Sequence, residues 1–145
     1  MIAPTHLRQL CMLEEPHCLA YLGLLPHTAI IYECWVGATE RSATWKEIND
    51  HGMDLLDQHL AEAWVVNVLH LENMPQAANE WIVEWVLPQL QRKGLRYLAT
   101  VLPADSLHAE AAVNQWAQQA GLAAREFTTE PAALAWVHEK LGRNP

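Results

Sequence analysis

Two short pairs well separated in the chain, His70 with Glu72 and Ser106 with His108, carry the material for acid–base chemistry. An imidazole and a carboxylate can exchange protons near neutral pH, and a neighbouring base can activate a serine hydroxyl. A parallel sheet could bring them together, because ligands in open α/β sheets gather beyond the carboxyl ends of the strands. The ends read from this sequence are 67–72, 103–108 and 128–130. No nucleophile elbow and no zinc-ligand spacing accompanies the four residues. They are therefore expected to cap helices or face water, and no catalytic residue is assigned. Asn67 is a different case. It falls inside an apolar run, so its amide must find partners in the interior. A structural role is the expectation for it and a ligand contact is the alternative.

The remaining candidates are weaker. His51 and His59 lie eight apart on one helical stretch, too far for chelation at i and i+4, and Glu47 with His51 reads as a surface pair. Glu80 and Glu84 share a helix face on its solvated side, where carboxylates do not acquire the shifted pKa values that general acids need. Cys11, Cys18 and Cys34 are odd in number and far apart, with no CxxC, which predicts free thiols and no disulfide. No metal and no cofactor is expected. No glycine-rich phosphate loop is present, and no parallel strand ends in an aspartate. Trp81 and Trp85 recur on one helix and cannot easily both be fully buried, so they join His70, Glu72, Asn67 and Ser106 as candidate partner or ligand contacts.

Composition narrows the function classes. Nine Lys and Arg against 17 Asp and Glu give a net charge of −8, without a basic stripe, which argues against nucleic acid as a partner. No run approaches eighteen apolar residues, and the first ten residues lack the pattern of a secretory signal, so a cytoplasmic protein without a membrane span is expected. The 145 residues are one domain's worth, and an apolar fraction of 51% with seven Trp is ample for a core.

The elements that must position these residues centre on 63–103. Trp64 to Leu69 is a valine-rich run without strict alternation, as in a strand covered on both faces. A helix over 75–93 carries Trp81, Ile82, Trp85, Val86 and Leu90 at helical spacing, with Pro88 expected to kink or restart it and Gly94 to stop it. Tyr97 to Leu102 is a second strand, parallel to the first through the crossover. Before this unit, 18–23 and 29–36 read as an antiparallel pair ended by Gly37. In the latter strand Ile30, Tyr32, Cys34 and Val36 take one face, and Ala29, Ile31, Glu33 and Trp35 the other. A helix over 42–61 starts from a capping box, Thr44 with Glu47, and carries Gly52 close to its apolar face. A third helix is expected from Asp105 or Ser106 to Ala120. A strand over 123–127 and a helix capped by Thr128 or Thr129, with Pro131 in its first turn, complete the chain. Residues 1–16 fit a short helix or a ragged strand equally and are expected to form an irregular extension. The whole reads as a single α/β domain, a mixed open sheet of about five strands flanked by four main helices.

Several pieces resemble, in order, the bacterial SpoIIAA-like proteins, whose fold is that of the sulphate-transporter and anti-sigma-factor-antagonist (STAS) domain. They are Trp35 to Gly37; Trp64 to Val66; Glu80 to Ile82; Glu84 to Pro88; Gly94 and Leu95 leading into Ala99 to Pro103; Phe127 to Thr129; and Ala133 to Val137. The resemblance spans about residues 17–141 and implies a mixed sheet flanked by helices, in a family whose small members mostly have no known activity. Two positions depart from it. Relatives commonly carry an aspartate and then a basic residue where Asn67 and Leu69 stand. Regulatory members phosphorylate a serine at a helix start, and residues 70–76 contain no serine or threonine, so a phosphoswitch is not supported. The resulting expectation is a non-catalytic regulatory or protein-interaction module. It is expected to be a homodimer, because the apolar supply and an unpaired sheet edge both call for cover. The alternative is a carrier of a small apolar ligand or lipid tail, and the third reading is an enzyme using the strand-end residues.

Overall fold

The computed structural model describes residues 1–39, 41–59, 61–73, 80–106 and 122–142, with the backbone alone at His59, Val83 and Ser106. Six strands form the middle layer: β1 (Arg8–Glu15), β2 (Cys18–Leu24), β3 (Ile30–Ala38), β4 (Ala63–Asn73), β5 (Tyr97–Val101) and β6 (Ala123–Phe127). Their spatial order equals their sequence order. β1, β2 and β3 pair antiparallel, and β3 to β6 pair parallel. Helices α1 (Ser42–His59), α2 (Leu87–Arg92) and α3 (Glu130–Lys140) flank the sheet, with a π-helical turn, Ile82–Val86, leading into α2.

The parallel pairing of 63–67 with 97–101 follows the sequence reading, and the N-terminal segment corrects it. Residues 8–15 are a sixth strand at the edge of the sheet, not an irregular extension. Their alternation is broken by a bulge between Arg8 and Cys11, where Gln9 has φ 54°. Beyond the bulge Cys11 and Leu13 turn toward the core, while Leu10 and Met12 stay exposed.

Each face of the sheet carries its own core. On one, α1 and α2 cover Leu22, Ile31, Trp35, Trp64 and Leu98, with Trp35 stacked on Trp45 of α1 at 3.7 Å between ring centroids. On the other, Ala133, Trp136 and Val137 of α3 cover Tyr32, Val65, Ala99 and Val101. Gly52 lets α1 lie directly on the sheet: a Cβ there would stand 2.2 Å from the Trp64 ring.

Local chemistry explains the helix boundaries. Pro88 lacks an amide proton and enters the first turn of α2, and the preceding turn widens so that the Leu87 amide bonds Ile82. Thr129 caps α3, accepting from the Ala132 amide. The capping box expected at Thr44 is not formed. The helix begins two residues earlier, and the Thr44 hydroxyl reaches Glu15 instead. Gly37 does not end β3 either. It continues the strand at φ 91°, where a Cβ would stand 2.1 Å from the His17 carbonyl. The helix expected at 105–120 falls outside the described residues apart from a 3-10 turn, Ala104–Ser106.

Candidate functional site

Buried polar side chains stand in both cores. Under α1, the buried Glu33 carboxyl accepts the Trp35 indole N–H at 2.5 Å on one oxygen and the Trp64 indole N–H at 3.0 Å on the other. The alternation of β3 puts Glu33 on the apolar face shared by Ile31 and Trp35. Burial pushes its pKa from 4.5 up to about 7, against the opposing pull of the two indole donors.

On the opposite face lies a larger network. Tyr32 Oη donates to Glu130 Oε2 at 2.5 Å, and Asn67 Nδ2 donates to the same oxygen at 2.8 Å and to Tyr32 Oη at 3.3 Å. Tyr21 Oη donates to the Ile2 carbonyl at 2.6 Å, and the Met1 nitrogen stands 3.5 Å from Glu130 Oε1. Cys34 is buried in the same core as the two tyrosines. The sheet register explains why Asn67 occupies this point. Between its pairings to Asn67 and His70, β4 has one residue more than β3, a bulge that frees a backbone donor. The freed Leu69 amide donates to Asn67 Oδ1 at 3.0 Å. Asn67 thus uses both ends of its amide inside the protein.

The phenols of this network and the thiols of the chain are held away from their ionised forms. Burial, and then the bond to Glu130, raises the Tyr32 phenol, and burial raises that of Tyr21. Burial likewise pushes the thiols of Cys11, Cys18 and Cys34 above the ordinary value, away from the thiolate.

A third polar place is an open cleft of about 470 Å³ at the carboxyl ends of β3 and β4, where Glu15, His17, Thr39, Arg41, Glu72 and Asn73 meet. Glu15 is already engaged there. Thr39 and Thr44 donate to its two oxygens at 2.9 and 2.8 Å, which sets a carboxylate of the chain itself at the start of α1.

The sequence candidates do not converge. Asn67 joins Tyr32 and Glu130, Glu72 lines the cleft, and His70 is exposed on β4. Trp81 packs partly against the core under α1 and α2, while Trp85 is 59% exposed. The Ser106 side chain and His108 lie outside the described residues. His51 does not pair with Glu47; its Nε2 meets the Gln9 carbonyl at 2.6 Å. Sequence reasoning passed over Glu130 and Glu33. The available signal for Glu33 was a carboxylate on an otherwise apolar strand face. Among the described residues no group of His, Cys, Asp or Glu is placed to hold a metal ion.

No family profile matches the chain, and no curated protein sequence does. A structural match exists to an uncharacterised protein of the DUF3478 family with a SpoIIAA-like fold from Shewanella loihica PV-4, solved by crystallography at 2.25 Å. It covers 87% of this chain and 98% of that one at 16% identity, with a TM-score of 0.54. The fold is therefore SpoIIAA-like, a mixed open sheet flanked by helices, as the ordered motifs of the sequence led one to expect.

Proposed function

We propose that this chain is a non-catalytic protein-interaction module that works as a single domain, and that its first partner is a second copy of itself. The observation that carries the reading is the uncovered edge of the sheet. Among the described residues β1 has a neighbour on one side only, and it exposes Leu10 and Met12, which are 40% and 47% accessible. An edge strand presents unpaired amides and carbonyls, and apolar side chains beside them reward whatever covers it. Where chemistry would be expected, the polar groups are turned inward on one another. Asn67, Tyr32 and Glu130 satisfy each other, and the thiols are held in their neutral form. The cleft at the strand ends is lined by Glu15, His17, Thr39, Arg41, Glu72 and Asn73 together with Pro16 and Ala38, and the Glu15 carboxylate in it is already bonded to Thr39 and Thr44.

Sedimentation equilibrium over about 1–100 μM protein tests the reading. A mass rising toward twice 16.4 kDa supports it. A mass that stays at the monomer value throughout overturns it.

A further inference from the structure

We propose that two copies join edge to edge through β1, antiparallel, with the two-fold axis passing through Met12. This rests on the self-association just proposed and adds its geometry.

The first argument is charge. β1 reads Arg8, Gln9, Leu10, Cys11, Met12, Leu13, Glu14, Glu15, with its cation at one end and two anions at the other. Parallel stacking of two such strands sets Arg8 against Arg8 and Glu15 against Glu15. Antiparallel stacking sets each Arg8 against the acidic end of the other copy, and cross-strand pairs of opposite charge stabilise where like pairs destabilise. The edge is complementary to itself, which favours a second copy over an unrelated strand. Each copy carries a net charge of −8, so any approach needs such local compensation.

The second argument fixes the register. Directly opposed residues in an antiparallel pair point to the same face, so the axis must pass through a residue and not between two. Arg8 pairs with Leu24 and Glu15 with Cys18, so the eight residues of β1 span only seven positions along β2, with Gln9 and Leu10 sharing one at the bulge. Met12, opposite Tyr21, is the middle of the seven. An axis there pairs every position of β1. It sets Arg8, which also donates to the Thr28 carbonyl of its own chain, against Glu15 of the other copy, whose carboxylate keeps its bonds from Thr39 and Thr44; it sets Cys11 against Leu13 and meets Met12 with Met12. The bulge falls against Glu14, away from the centre. An axis at Cys11 or Leu13 leaves one charged end of the strand unpaired.

Cross-linking tests this on the full chain. In a Cys11→Ser background, Met12→Cys places two thiols at the axis, within reach of a short bis-maleimide. The expected result is a covalent dimer in high yield from that variant. Leu10→Cys and Glu14→Cys should each link poorly alone and efficiently when mixed, because they face one another. All three positions are on the surface, so circular dichroism should show an unchanged fold. A dimer in sedimentation that does not link through Met12→Cys overturns the register and leaves self-association standing. A monomer at every concentration overturns both.

Discussion

The carboxyl of Glu33 lies between two indole N–H groups beneath α1, and its pKa stands at about 7 because burial penalises the charged form more than Trp35 and Trp64 support it. The folded value exceeds the unfolded one, so the group's contribution is complete below about pH 4.5 and is lost as pH rises through about 7. The span corresponds to about 3 kcal/mol. Glu33→Gln should flatten the fall of urea midpoint between pH 5 and 8 and raise stability at pH 8 by about 1–2 kcal/mol, less than the full span because one indole then loses its acceptor. A variant with the wild-type pH slope would show that another group sets it. Asn67 poses the opposite question. Asn67→Asp places a second carboxylate where the amide now stands 2.8 Å from Glu130. It should cost about 2–3 kcal/mol at pH 7 and much less near pH 4, in thermal melts at the two values. Adding Glu130→Gln should recover most of the loss. Neither site was fully legible in the sequence: the alternation of β3 put Glu33 on an apolar face, but nothing local to Asn67 names Glu130, 63 residues away.

Among the elements, those set by their own residues were readable and those set by distant ones were not. β5, β6 and α3 stand where period, caps and stops put them, because Thr129, Pro131 and Gly94 act within one turn. β1 was not read as a strand, because the bulge at Gln9 breaks its alternation and the pairing that defines it belongs to β2. The start of α1 at residue 42 was readable, but the role of Thr44 was not, because Thr44 has the sequence of a cap and the hydrogen bond of a tether to Glu15. Gly52 was legible by its position on the apolar face, and it allows a sharp test. Gly52→Ala gains about 1 kcal/mol of helix propensity but drives a methyl group into the Trp64 ring. Overpacking should dominate, with a net loss of about 1–2 kcal/mol in chemical denaturation. A stabilised variant would mean that α1 shifts freely on the sheet.

At the scale of the whole molecule, self-association and stability should separate. Met12→Lys puts a charge at the centre of the exposed edge without touching either core. The dimer dissociation constant should rise at least about tenfold in sedimentation, with the melting temperature of the isolated fold moved by no more than about 2 °C. Raising salt from low values to about 0.15 M should tighten the wild-type dimer if the repulsion between two acidic chains outweighs the Arg8 pairs. The order of the sheet carries a last consequence. Because each strand lies beside its neighbour in sequence, a chain leaving the ribosome can add strands one at a time to an edge that already exists. Each inner edge is covered by the next strand to emerge, and among the described residues the outer edges of β1 and β6 are not. β1 is exposed from the earliest moment of synthesis, so two nascent chains on one message could meet through it before either is finished.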